Sequence, residues 1–226
     1  PKGAVALDGA GVAAWRGDEG WLWVHLDRTS DEAERWLSEA ADLDPLVVDA
    51  LLEAETRPRT ATMGDGQLII LRGVNLNVGA DPEDMVSIRI WVDAKRVVSL
   101  RARKLAAAQA VRADIERGVA PESPGGLVVD VAGAMIDLMG PVLVDLNEEV
   151  DEVEEGVLDA PNHELRSRLS QFRRKAIRLR RFLAPQRDVL SRLQSERSAI
   201  FSDKDRDRLR EITDRLTRYV EELDAA

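Results

Sequence analysis

Hydrophobic and polar positions follow two different rhythms along this chain. In the first half the period is two. In "WLWVHLD" (21–27), Leu22, Val24 and Leu26 point one way and Trp21, Trp23 and His25 the other, which predicts a strand. "QLIILRGV" (67–74) is a compact apolar run after the turn signal "GDG" (64–66). "MVSIRIWVD" (85–93) and "RVVSLR" (96–101), parted at Asp93-Ala94-Lys95, predict a hairpin. Two helices interrupt these strands. One runs from Ser30-Asp31 to about Ala40 with Trp36 and Leu37 inward. The next opens at Asp44-Pro45, an N-cap followed by a proline suited to the first helical position. Its expected apolar face is Leu46, Val47, Ala50, Leu51 and Ala54, and it should stop before Arg57-Pro58. A third helix is expected over 103–117, ending at Gly118.

After the loop "PESPGG" (121–126) the period becomes three to four. Met135, Leu138, Val142, Leu146, Val150, Val153 and Val157 mark one helix of about 30 residues, with a possible kink at Gly140-Pro141. "DAPNH" (159–163) breaks it. A second helix carries Leu165, Leu169, Phe172, Ala176, Leu179 and Leu183; a third carries Leu209, Ile212, Leu216, Tyr219 or Val220, and Leu223. Pro185 lies inside the second. The apolar stripe continues through Val189, Leu190 and Leu193, so a kink or local unwinding near Arg181–Pro185 is expected rather than a helix end, with the turn near Ser202-Asp203.

Charge sharpens the helical half. Residues 145–159 hold eight acids and no base, and 166–181 hold eight bases and no acid. A short break between them predicts antiparallel neighbours whose acidic and basic faces meet. The salt-bridged reading is therefore preferred to a nucleic-acid patch for the arginine run. A paired, solvated face is preferred to a cation site for the acidic run. The net charge of −10 on average repels nucleic acid and anionic membrane surfaces, and favours cations.

The apolar window Leu127–Val144 contains Asp130 and Asp137, so a buried helix fits better than a membrane span. No cysteine is present, which removes disulfides and thiolate zinc sites. His25 and His163 stand alone and read as structural. No zincin, P-loop, nucleophile-elbow or dinucleotide pattern occurs, so no enzyme is expected.

"WVHLD" (23–27), "LDPLVVDALLEAETRPR" (43–59), "LRGVNLN" (71–77), "PEDMVSIRIWVDAKRVVSLR" (82–101) and "FLAPQRDVLSRLQSER" (182–197), in this order, resemble the cytoplasmic part of a CorA-superfamily metal-ion transporter, and within it the ZntB branch. The resemblance implies an α/β fold: a mixed β-sheet flanked by helices on both faces, followed by long C-terminal helices, the last a truncated stalk helix. The expected division is 1–120 for the sheet domain, 121–202 for a long antiparallel helix pair packed on it, and 203–226 for the start of the stalk. It also implies a homopentamer in a bacterial inner membrane, this region being cytoplasmic, joined to the membrane through C-terminal transmembrane helices that the chain lacks. No nucleic-acid partner and no required cofactor are implied. Zinc, and alternatively magnesium or cobalt, would be the transported or regulatory ion.

In the related magnesium channels a carboxylate from the stalk and one from the helix after the "L-x-P-L" start sense metal between subunits. By resemblance these positions fall on Glu211 and on Ala50, which cannot ligate; Asp49 is adjacent but about 100° away around a helix. That favours the zinc-type branch over a magnesium or cobalt channel. The candidate cation-gathering carboxylates are Glu211, Asp214, Glu221, Glu222 and Asp224, with Asp49 beside them. A soluble helical scaffold protein is the reading from outside the transport class.

Overall fold

The computed structural model describes residues 3–18, 20–54, 56–159 and 163–225, with the side chains of 154–159 and 164 outside the description. Five strands form one mixed sheet: β1 (Leu22–Asp27), β2 (Arg59–Met63), β3 (Gly66–Gly73), β4 (Val86–Val92) and β5 (Arg96–Arg101). Their spatial order is β1-β5-β4-β3-β2. β1 runs parallel to β5, and the other neighbours are antiparallel, including the expected β4–β5 hairpin.

Period-two alternation sorts the strand residues onto two faces. Leu68, Ile70, Trp91, Val98 and Leu100 pack under α2 (Asp31–Glu39) and α3 (Pro45–Leu52). Ile69, Leu71, Ile88, Ile90 and Val97 pack on the other face under α4 (Ala106–Glu116) and the long helices α5 (Pro124–Asp159), α6 (His163–Ser195) and α7 (Asp203–Ala225). Helices thus flank both faces of the sheet. A short helix, α1 (Gly9–Ala14), precedes β1 and carries no buried residue, which is why no apolar period marks it.

Several boundaries differ from the sequence expectation. β2 was not expected: "RTATM" has one short apolar alternation and gains its strand form by pairing with β3. In α3, Asp44 caps as expected, its carboxylate accepting from the Leu46 N–H at 2.8 Å. Val48 rather than Leu46 joins Val47 and Leu51 in the core; Leu46 is 66% exposed, and the helix ends at Leu52, before Ala54. α5 starts at Pro124, inside the expected loop, and runs 36 residues unbroken through Gly140-Pro141. Val157 and the break at 160–162 lie outside the described side chains or residues.

α5 is long and apolar enough to cross a membrane by length and composition, yet half of that apolar window is buried inside this fold. The two acids of the Leu127–Val144 stretch face α7. Asp130 accepts from Arg208 and Asp137 from Arg215, both at 2.5 Å. The seven-residue step on each helix locks α5 and α7 in parallel register. On the same track a side chain at Gly126 would meet Asp205, at Gly133 Ile212, and at Gly140 Tyr219, again seven residues apart on both helices.

Pro185 neither ends nor unwinds α6, which stays helical from His163 to Ser195. The carbonyl its ring leaves unserved belongs to Arg181, an exposed residue. Its neighbours dock the helix on the sheet. Gln186 is 1% exposed, and its Oε1 accepts from the Arg72 backbone N–H at 2.6 Å, beyond the end of β2. The Arg72 guanidinium lies 4.2 Å over the Phe182 ring and donates to the carbonyls of Thr56 and Met85. The "FLAPQRD" segment thus supplies hydrogen bonding that the short edge strand does not. The block "GVNLN…PED" is likewise structural. Asn75 is buried; its Nδ2 donates to the Asp84 carbonyl, and its Oδ1 accepts from Asn77 Nδ2.

Candidate cation-gathering face of the last helix

α7 begins with a reciprocal cap. Ser202 Oγ accepts from the Asp205 N–H, and the Asp205 carboxylate accepts from both the Ser202 N–H and its hydroxyl. Leu209, Ile212, Leu216, Val220 and Leu223 are buried, as their spacing predicts. That stripe fixes which side chains face outward.

Glu211, Asp214, Glu221 and Glu222 are all exposed and fall within roughly 100° of one another around the helix axis. Arg218 sits in the same arc. They form a line about 16 Å long rather than a cluster. Asp224 does not belong to it. It points toward α6 and pairs with Arg180. Asp49 is exposed on α3, on the opposite side of the sheet from α7. Among the described residues no three His, Cys, Asp or Glu side chains converge to hold a metal ion. A single chain therefore offers a field and water-mediated contacts to a cation, not a closed coordination shell.

Glu211 also lines a groove of about 350 Å³ between α4, α5 and α7, whose walls include Asp130, Asp137, Arg208 and Arg215. Asp130 and Asp137 read in the sequence only as obstacles to a membrane span. Their partners share the same seven-residue step, 130/137 against 208/215, but other arginine pairs such as 166/173 and 174/181 share it too, so the step alone does not pair them.

The acidic and basic helices do meet. Glu149 pairs with Lys175 at 3.2 Å and Glu152 with Arg168 at 3.9 Å, in antiparallel order. Arg178 turns instead to Glu83 and Asp84, at 4.0 and 3.7 Å. His25 is structural. Trp23 Nε1 donates to Ser99 Oγ at 2.8 Å, and the Ser99 hydroxyl lies 2.8 Å from His25 Nδ1 and 3.4 Å from the Val24 carbonyl. Burial first, then Arg101 and Arg112, lowers the His25 pKa from 6.5 to about 4, against a raising effect from Asp27.

Comparison with known proteins gives this geometry a context. The sequence model of the family described as "CorA-like Mg2+ transporter protein" matches residues 18–226. The chain is 41% identical over 209 residues to "Divalent cation transporter CmaX" of Pseudomonas aeruginosa, covering 90% of this chain and 62% of that protein. It is 35% identical to "Zinc transport protein ZntB" of Pectobacterium carotovorum, covering 99% of this chain and 70% of that one. The solved structure of full-length CmaX superposes with a TM-score of 0.84 at 40% identity, over 90% of this chain and 63% of that one. The ZntB cytoplasmic domain from Vibrio parahaemolyticus shares the fold, with a TM-score of 0.74 at 23% identity. The chain thus spans about two thirds of the length of these curated relatives. The family is one of transporters rather than enzymes, and the scaffold reading gives way to it. With its match from residue 18 to residue 226, the chain belongs to the CorA family.

Proposed function

We propose that this chain is the cytoplasmic domain of a divalent-cation transporter in a bacterial inner membrane. In this reading α7 is the start of a stalk that continues into the membrane region, and the complete protein is a homopentamer. The exposed carboxylates Glu211, Asp214, Glu221 and Glu222 raise the local concentration of divalent cations near the axis. Asp224 supports this only through the net charge of the helix, since Arg180 engages it. A coordination shell requires a second copy, and Asp49 on the far side of the sheet is the acid through which a neighbour would contribute.

Zinc is the proposed ion, because relatives at 35–37% identity over 90–99% of this chain are named zinc transport proteins. The relative at 41% is named for divalent cations in general. Magnesium or cobalt is the second reading; Ala50, half-buried and without a donor, speaks against a magnesium-sensing pair there. The observation that carries the proposal is the family match together with the exposed acidic line on α7.

Calorimetric titration of this chain with Zn²⁺, Mg²⁺ and Co²⁺ tests the role of that line. We expect weak binding, tightest for Zn²⁺, that falls roughly tenfold when Glu211→Gln, Asp214→Asn, Glu221→Gln and Glu222→Gln are combined. Identical titrations for the variant and the parent would remove these residues from cation gathering.

A further inference from the structure

α6 carries more positive charge than its neighbours use. Arg168 and Lys175 pair with α5, Arg178 with the 83–84 loop and Arg180 with α7. Arg166, Arg173 and Arg174 are exposed and have no carboxylate partner among the described residues. Arg181 is exposed and lies 5.6 Å over the Phe182 ring. At 100° per residue these four arginines share the outward arc of the helix and surround Ile177, itself 66% exposed. The strip is about 22 Å long.

Its position is informative. α6 runs antiparallel to α7: Arg206 reaches the Glu196 carbonyl near the turn, and Arg180 pairs with Asp224 near the end of α7. From that level, residues 163–179 carry α6 about 25 Å further in the direction α7 is heading. If α7 continues into a membrane region, as the proposed function holds, the arginine strip lies on the membrane side of the domain.

We infer that this outward face of α6 is a contact surface for anionic lipid headgroups. The inference rests on the proposed transporter reading for the placement of the membrane. Guanidinium groups at a lipid surface engage phosphates, and an exposed isoleucine among them suits the polar–apolar boundary. Nucleic acid fits less well, since the strip offers no stacking aromatic. The net charge of −10 opposes approach to any anionic surface at long range. At physiological salt, fields are screened beyond about 8 Å, so the local arginines and not the distant acids govern a surface in contact with α6.

Vesicle flotation with this chain tests the inference. We expect binding to phosphatidylcholine vesicles containing about 30% phosphatidylglycerol, none to pure phosphatidylcholine, and release at high salt. Combining Arg166→Gln, Arg173→Gln, Arg174→Gln and Arg181→Gln should lower the bound fraction about tenfold or more, while lysine at the same four positions retains it. Circular dichroism controls for folding, and the Arg173→Gln/Arg174→Gln pair provides a milder variant with a partial loss. Absence of binding by the parent, or equal binding by the glutamine variants, overturns the inference. So does loss with lysine as well as glutamine, or arginine-dependent self-association without vesicle binding; either points to a protein carboxylate partner. Ion flux is not read in this assay, so a negative result concerns the α6 surface alone and leaves the transport reading to the flux experiment.

Discussion

Gly125→Ala lowers the stability of the fold by about 3 kcal/mol, a melting shift of roughly 6–12 °C for a domain of this size. Gly125 is in the first turn of α5, where the helix passes the turn between α6 and α7. A methyl group there would sit 2.2 Å from the Ile200 carbonyl oxygen, and that oxygen is backbone, not a flexible side-chain end. Either α5 or the α6–α7 turn must move, and both are tied to the core through Leu127, Val128 and Phe201. The general helix preference for alanine, about 1 kcal/mol, opposes this loss without cancelling it. Gly133→Ala is the control. Its methyl would meet Ile212 Cδ1 at 3.5 Å, an ordinary contact, so it should leave stability unchanged or raise it by up to about 1 kcal/mol. Thermal and urea unfolding of the two variants measures the contrast. Equal melting temperatures would mean that α5 does not approach the turn this closely.

Acid weakens the fold through His25. Its pKa in the folded chain is lowered to about 4, against 6.5 unfolded. Above pH 6.5 the ring is neutral in both states and its contribution is intact. As pH falls below 6.5 the unfolded chain takes up the proton and the folded chain does not, until about pH 4. Stability therefore drops through this window, by about 2 kcal/mol at pH 5. In His25→Phe the ring beside Trp23 remains but cannot titrate. Urea midpoints at pH 7.5 and pH 5 should converge for the variant and diverge for the parent. A parent no more sensitive than the variant would show that His25 charges freely in the folded state. The variant also removes the hydrogen bond between His25 Nδ1 and Ser99 Oγ, so its stability at pH 7.5 should be lower by about 1 kcal/mol.

The strands and long helices were legible in the sequence because burial imposes a period. Leu22, Val24 and Leu26 alternate, and Leu209, Ile212 and Leu216 recur by helical turns, whatever the tertiary context. β2 was not legible, since Arg59–Met63 becomes a strand only beside β3. Leu46 misled because the exposed start of α3 carries an apolar residue that the core does not take. Pro185 suggested a flaw, but the stripe on both sides of it and the Gln186–Arg72 bond hold the helix together.

The candidate site was legible as composition, not as geometry. The sequence marks Glu211, Asp214, Glu221, Glu222 and Asp224 as acids on one helix. Only the packing of α6 on α7 shows that Asp224 is engaged by Arg180. Only the sheet shows that Asp49 is on the far side of the chain from the others. Pairings between Asp130 and Arg208 span 78 residues, and no local pattern forces them.

Ion flux through the complete protein tests the central claim most directly. Reconstituted into vesicles and loaded with a metal-sensitive dye, it should admit Zn²⁺ faster than empty vesicles do. The rate should fall severalfold when the four outward carboxylates of α7 are neutralised together. Flux of Mg²⁺ that closes as Mg²⁺ accumulates, with indifference to Zn²⁺, would move the protein to the magnesium branch. No divalent-cation flux above the empty-vesicle rate would contradict the account.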